Sequence, residues 1–257
     1  MIASGYFRKE MDFMSNQLTD SADVTGPLDG GLQVLPFYIL CDESGSMAGA
    51  SIDAVNDGIK QLFKALYADP VVDGKARVSI IAFSDTAQVV LPLSQLSNVP
   101  TVPGCTVRGS TSYSAAFKKL HEQIDIDVDG LKAQGYSVMR PVVFFISDGE
   151  PNPEPWEVEH RLLTDDAYKY RPHVLSFGVD GANPDIIKQV ATYVGKAGGK
   201  PFAWMAESGT SAGPAITEIF KFITGSIIAS GNAAKPVMTA AEIKGVKTVD
   251  EFILDSI

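Results

Sequence analysis

Two stretches of the chain, residues 34–41 and 141–146, are almost continuously apolar, and they limit the fold more than any other feature. A strand that is covered on both faces has this composition, whereas a strand with one face in water alternates apolar and polar residues. Both runs therefore predict buried strands of a mainly parallel sheet. Residues 76–84 predict a further strand, and Asp85-Thr86 is short enough to turn it into an antiparallel hairpin with residues 87–93.

Helical patterns separate the strands. After the first strand, Ile52, Val55 and Ile59 open a three- and four-residue apolar spacing that predicts a helix over residues 51–68. The same alternation continues to the end of the domain. The remaining predicted elements are helices from near residue 112, at 154–170, at 184–195 and at 212–229, and strands at 173–179 and 201–206.

This alternation predicts an α/β fold of three layers, in which a six-stranded, mainly parallel sheet carries helices on both faces and one antiparallel edge strand. We divide the chain into a mobile leader at 1–33, one domain at 34–229 and a tail at 230–257. We expect the tail to add a short helix against the domain.

Composition excludes several functions. The formal net charge of -10 argues against binding to nucleic acid or to an anionic membrane. No segment has the length and apolarity of a signal peptide or a membrane span, so we expect a cytoplasmic protein. The two cysteines, Cys41 and Cys105, are too few for a zinc module or a disulfide scaffold. We expect reduced thiols, although the two positions allow a disulfide.

Oxygen-bearing side chains follow the predicted strands where each one ends. The run Asp42-Glu43-Ser44-Gly45-Ser46 follows the first strand, Thr111 lies in a loop before a helix, and Ser147-Asp148-Gly149 follows residues 141–146. Ligands of open parallel sheets collect at the carboxyl ends of the strands, so these three segments are expected to meet. Hard oxygen donors suit Mg²⁺ or Mn²⁺ and no soft metal.

This pattern resembles the metal-ion-dependent adhesion site (MIDAS) of von Willebrand factor A (vWA) domains, which have a Rossmann-like fold. The signature of that site is Asp-x-Ser-x-Ser, then a distant Thr, then a distant Asp followed by Gly. All five donors stand here in that order. The metal residues implied by the resemblance are Asp42, Ser44, Ser46, Thr111 and Asp148.

The resemblance also implies a role for each donor. The hydroxyls of Ser44 and Ser46 would bind the metal, and Thr111 would bind it directly or through water. Asp42 and Asp148 would hold coordinating waters or hydroxyls. Neutral donors leave a divalent ion short of negative charge, so it seeks an acidic side chain from a partner protein. Mg²⁺ or Mn²⁺ is expected, and Ca²⁺ suits the site less.

Three segments, LPFYILCDESGSM, AVNDGIKQLFKAL and VVFFISDGEP, are similar to the bacterial tellurium-resistance (TerY-type) proteins. That resemblance implies a scaffold in a bacterial tellurite or stress response, with a kinase or phosphatase among its partners. Some relatives carry a Cys-rich zinc module after the domain, and this chain lacks those cysteines.

Simpler interpretations compete with the metal site. Ser44, Ser46 and Thr111 could each cap a helix. Glu43 is expected to be a solvated neighbour, and a hairpin turn is enough to explain Asp85.

Enzymatic interpretations are weaker. Ser211 lies in a Gly-x-Ser-x-Gly run, but all three histidines precede it, against the order of a hydrolase triad. We therefore expect a binding module without catalysis. Two alternatives stay open, a metal-assisted phosphohydrolase that uses Asp42 and a scaffold that needs no metal.

Overall fold

The computed structural model describes residues 31–192, 201–238 and 243–249, and one sheet of eight strands lies at its centre. The strands are β1 Gln33–Asp42, β2 Ala76–Phe83, β3 Ala87–Ser94, β4 Ser137–Val138, β5 Val142–Ser147, β6 His173–Gly178, β7 Ala203–Ala206 and β8 Val246–Thr248. The helices are α1 Ala50–Tyr67, α2 Pro70–Lys75, α3 Tyr113–Ala133, α4 Glu157–Thr164, α5 Pro184–Val190 and α6 Ala212–Ala233.

The strand order is β3-β2-β1-β5-β6-β7-β8, and β4 pairs with the first residues of β1. β1 is parallel to both β2 and β5, while β3 and β8 are antiparallel edge strands. The predicted three-layer α/β fold is confirmed. The predicted count of six strands is wrong, because β4 has two residues and β8 has three, too few to show a periodic pattern.

Burial explains the strand composition. Every residue of β1 after Gln33 is buried, and so is every residue of β2. The edge strand β3 is largely half-buried or exposed, and it contains Pro92, whose missing N–H an edge position tolerates.

Two pairs of helices form the outer layers, α1 with α6 and α3 with α4. The first pair packs closely where Gly58 of α1 faces Phe220 of α6. A Cβ at Gly58 would lie 2.2 Å from Cγ of the Phe220 ring, so no larger residue fits there without displacement. This contact holds α1, which follows the Asp42 loop, against the longest helix of the domain.

Several predicted boundaries change. The helix predicted at 154–170 forms only over α4, and α5 ends at Val190, before residues 193–200, which lie outside the described residues. Helix α2 was not predicted. It begins at Pro70, where proline is favoured, and the Asp69 side chain accepts a hydrogen bond of 3.2 Å from Val72 N.

The two terminal segments are described only in part. Of the leader predicted at 1–33, residues 1–30 lie outside the described residues, and Gln33 already belongs to β1. Of the tail, residues 230–233 complete α6 and 246–248 form β8, so a strand occurs where we predicted only a helix. Residues 239–242 and 250–257 are outside the description. Both cysteines are free and buried.

Candidate metal centre

The pairing of β1 with β5 brings the first and last predicted segments together. Cys41 pairs with Ile146, so the next residue on each strand, Asp42 and Ser147, are neighbours at the carboxyl end of the sheet. Ser147 Oγ donates a hydrogen bond of 2.6 Å to Asp42 Oδ2. Parallel pairing therefore fixes one side of the site by backbone register alone.

The loop after β1 folds back over this strand end. Ser44 N donates to Asp42 Oδ1 at 2.9 Å, and Ser46 lies in a short 3₁₀ turn. The Ser44 and Ser46 hydroxyl oxygens are 3.1 Å apart, and Ser46 Oγ donates to Asp148 Oδ1 at 2.8 Å. Four of the five predicted donors thus form one connected group.

Thr111 lies beside this group, next to Gly149. An ideal Cβ built on Gly149 would lie 3.6 Å from Thr111 Oγ1 and 3.8 Å from Ser46 Oγ. The glycine therefore leaves room between the two hydroxyls. Thr111 is 7% exposed, and its Oγ1 has no hydrogen-bond partner among the residues that the structure describes. A buried hydroxyl without a partner is costly, and a bound cation would satisfy it.

Helix capping does not explain these hydroxyls. The N-cap residue of α1 is Gly49, and Ser44, at the start of the 3₁₀ turn, makes no side-chain capping bond. Helix α3 is capped by Ser112, whose hydroxyl accepts from Ala115 N at 3.1 Å. Neither Ser44 nor Thr111 acts as a cap, so the simpler interpretation fails for these two.

The electrostatics of the site favour an added positive charge. Burial raises the pKa of Asp42, although hydrogen bonds from Ser147 and Ser44 oppose the rise. Burial, aided by the charge of Asp42, raises the pKa of Asp148 to about 6. Neither carboxylate takes part in an ion pair within the described part of the chain. A cation between them would offset the cost of burying two negative groups.

The donor set fits a hard divalent ion. Within residues 31–192, 201–238 and 243–249, no three His, Cys, Asp or Glu side chains gather in a way that could hold a metal. The five residues instead offer hydroxyl and carboxylate oxygens, which are ligands for Mg²⁺ or Mn²⁺ and poor ligands for soft metals. The structure thus brings the five predicted residues together, and their role as metal ligands stays a prediction.

Glu43 is not the solvated neighbour that the sequence suggested. Its side chain is 1% exposed and forms an ion pair of 2.7 Å with Arg108 Nε. Its backbone oxygen also accepts from Arg108 N at 2.7 Å, and Thr106 N donates to its carboxylate at 3.3 Å. Glu43 therefore fastens the loop before Thr111 to the end of β1.

Asp85 also does more than turn a hairpin. Its carboxylate accepts from Ser110 N at 2.9 Å and from the Ser110 hydroxyl. Asn152 Nδ2 donates to Ser110 Oγ at 2.9 Å, and Asn152 N donates to Thr111 O at 2.8 Å. The loops that carry Asp85 and Asn152 thus both hold the segment that contains Thr111. No spacing rule in the sequence indicates these contacts, because each joins distant residues through a loop.

Comparison with known proteins supports the vWA interpretation of the fold. The family model of the von Willebrand factor type A domain matches residues 37–150, which include all five donors. No curated protein sequence matches the chain. Among the described residues, no helix is both long enough and apolar enough to span a membrane.

Solved structures share this architecture at low sequence identity. A pilus adhesin, SpaC from Lactobacillus rhamnosus GG, superposes with a TM-score of 0.57 at 12% identity, over 78% of this chain and 30% of the adhesin. A von Willebrand factor type A protein from Catenulispora acidiphila gives 0.50 at 13% identity, over 77% of this chain and 43% of that one. The chain spans less than half of either protein. The fold is therefore a three-layer α/β fold of the vWA type, and the comparisons support a vWA domain protein.

Proposed function

We propose that this chain is a metal-dependent protein-interaction module. It binds Mg²⁺ or Mn²⁺ through the five donors of the candidate metal centre and, through the metal, an acidic side chain of a partner protein. The proposal is carried by the buried Thr111 Oγ1, which lies beside the connected serine and aspartate group and has no hydrogen-bond partner in the described part of the chain. Support also comes from the vWA-type fold and from one structural relative, which is a pilus adhesin.

The charge of the donors explains why a partner would be needed. Three of the five side chains are neutral hydroxyls, and Asp42 and Asp148 are already engaged by hydrogen bonds from Ser147 and Ser46. A divalent ion held there keeps much of its charge and attracts an anionic ligand. A carboxylate of another protein satisfies that requirement, which makes the site an adhesive surface rather than a catalytic one.

Calorimetric titration with Mg²⁺ tests the metal site. We expect Asp42→Ala and the double variant Ser44→Ala/Ser46→Ala each to lose measurable affinity. A matched control is Ser94→Ala/Ser97→Ala, which also removes two serine hydroxyls. Ser94 is the last residue of β3, and Ser97 lies in the 3₁₀ turn that follows it. Unchanged affinity in both site variants would refute the assignment.

A second experiment tests the partner. The purified chain is used to capture proteins from the source cell with Mg²⁺ and then with EDTA, beside the Thr111→Val variant. We expect capture to need both the metal and the Thr111 hydroxyl. Capture that is insensitive to EDTA would favour the metal-independent scaffold. The cytoplasmic location, the tellurite or stress-response role and the kinase or phosphatase partner stay predictions from the sequence.

A further inference from the structure

A chain of hydrogen bonds runs behind the metal centre, through two hydroxyls that the vWA motif does not include. Tyr113 Oη lies 2.9 Å from Ser147 Oγ, which in turn lies 2.6 Å from Asp42 Oδ2. All three residues are 0% exposed. The chain therefore leads from the metal centre into the core, away from the protein surface.

The direction of these bonds follows from their chemistry. An ionised carboxylate can only accept, so the single Ser147 proton points to Asp42. Ser147 Oγ must then act as an acceptor toward its other neighbours. Tyr113 Oη donates its phenol proton to Ser147 Oγ at 2.9 Å and has a longer contact of 3.2 Å with the other acceptor near it, Gly149 O. Gly149 N donates to Ser147 Oγ at 3.3 Å. Each hydroxyl thus orients the next, and Asp42 receives the last donor.

Tyr113 is held too firmly to be an incidental contact. Its ring packs edge-on against Phe145 at 4.9 Å and Trp156 at 5.6 Å between ring centroids. Tyr113 is also the first residue of α3, two positions after Thr111. The same residue therefore ties the helix that follows Thr111 to the end of β5, where Ser147 contacts Asp42.

We propose that Tyr113 and Ser147 are positioning residues of the metal centre, which hold the Asp42 carboxylate in the orientation that metal binding requires. This inference rests on the proposed function. Removal of a group that hydrogen-bonds to a metal ligand commonly lowers metal affinity by about 10- to 100-fold, because such a group orients the ligand before the metal arrives. The two hydroxyls would act in that way without touching the metal.

Tyr113→Phe is the main test, because it keeps the buried ring and deletes only the hydroxyl. We expect its Mg²⁺ affinity, measured by calorimetry, to fall about threefold to tenfold. The matched control is Tyr38→Phe. Tyr38 is equally buried, and its hydroxyl also donates to a carboxylate, Asp127 Oδ2, at 3.0 Å. Asp127 is not one of the five metal residues and lies on α3, fourteen positions after Tyr113. The control variant should bind Mg²⁺ as the wild type does.

A second pair of variants tests the middle of the chain. Ser147→Ala should weaken Mg²⁺ binding by about tenfold or more, and Ser147→Thr, which restores a hydroxyl, should recover most of the loss. Ser176→Ala is the control, since Ser176 is a buried strand serine whose hydroxyl bonds to Ile187 O at 2.6 Å. Thermal unfolding in EDTA shows whether each variant is folded.

The outcomes separate the two proposals. If the wild type binds Mg²⁺ and Tyr113→Phe and Ser147→Ala bind it equally well, the positioning role is wrong while the metal site stands. If the variants lose thermal stability but not affinity, the hydroxyls only stabilise the core, which also overturns the inference. If the wild type binds no divalent metal, both proposals fail.

Discussion

The two halves of the candidate metal centre are held in place by different forces. The strand half, Asp42, Ser44, Ser46 and Asp148, follows directly from β1 and β5, whose parallel pairing continues up to the site. The loop half is Thr111, which no strand delivers. Strand pairing therefore brings Asp42 and Asp148 of the first half together. The second half is positioned by hydrogen bonds between loops, from both backbone and side chains.

The loop half depends on polar contacts that lie near the surface. Asp85 accepts hydrogen bonds from Ser110, beside Thr111, and Asn152 donates one to the Ser110 hydroxyl. Asp85 is exposed. Exposed hydrogen bonds contribute little to global stability but can restrict a loop locally. We therefore expect that the loop half can be loosened without unfolding the protein, whereas the strand half cannot.

The largest effect is expected where the two halves meet. Gly149→Ala places a methyl group 3.6 Å from Thr111 Oγ1 and 3.8 Å from Ser46 Oγ. These are ordinary contact distances, so the fold should accept the methyl, but it crowds the room that the two hydroxyls share. We expect Mg²⁺ affinity, measured by calorimetry, to fall by about tenfold or more.

Gly130→Ala serves as the control for that variant. A Cβ on Gly130, inside α3, would meet nothing within 4 Å. Alanine there should leave Mg²⁺ affinity unchanged and raise the unfolding free energy by roughly 0.5 to 1 kcal/mol. Equal affinity in the Gly149→Ala and Gly130→Ala proteins would mean that the two halves do not share one ligand.

A smaller effect is expected when only the hydrogen bonds between Asp85 and Ser110 are removed. Asp85→Ala removes the two hydrogen bonds that Ser110 donates to Asp85 and leaves the one from Asn152. Thr111 should be held less firmly, and Mg²⁺ affinity should fall a few-fold. Amide hydrogen exchange should rise at residues 109–112 and stay unchanged at 42–46. Asp57→Ala, which removes an exposed carboxylate that pairs with Lys60 on α1, is the control.

Exchange that spreads from residues 109–112 into 42–46 in the Asp85→Ala protein would contradict this prediction. It would show that the strand half also depends on the hydrogen bonds between Asp85 and Ser110. Unchanged exchange at both segments would show that Glu43 and its ion pair with Arg108 are enough to hold the loop.

The sequence indicated the strand half of the site more fully than the loop half. Buried parallel strands have a characteristic apolar composition, and the motif residues sit at fixed offsets from the strand ends, so Asp42 and Asp148 could be placed in advance. The sequence predicts neither the ion pair of Glu43 nor the loop contacts of Asp85 and Asn152. Their contacts depend on how loops cross, which no periodicity records.

The same limit applies to the fold. The strands with long apolar runs were predicted within a residue or two of their bounds. In contrast, β4, β8 and α2 are short and draw their order from their neighbours. Tyr113 illustrates the point within the site, because its sequence position suggests a core residue, and only the packing of α3 against β5 reveals a hydroxyl that reaches Ser147.

The smallest expected effect is a difference in pH dependence between the two halves. In the strand half, Asp148 has its pKa raised from 3.8 to about 6, so in metal-free protein its contribution to stability is present below pH 3.8 and lost as the pH rises through about 6. In the loop half, hydrogen bonds from Ser110 lower the pKa of Asp85. Its contribution is present above its unfolded pKa and is lost only as the pH falls through the lowered value.

Between pH 4 and 7 only the strand half should therefore titrate. In EDTA, Asp148→Asn should gain thermal stability relative to wild type as the pH rises over this range, by a few degrees in melting temperature, because the amide carries no charge to bury. The melting temperature of Asp85→Asn should change with pH as that of the wild type does. Added Mg²⁺ should reverse the first result, since it stabilises the ionised wild-type site and not the variant. If the melting temperatures of Asp148→Asn and wild type change equally with pH in EDTA, burial does not destabilise the Asp148 carboxylate, and the two halves do not differ in pH dependence.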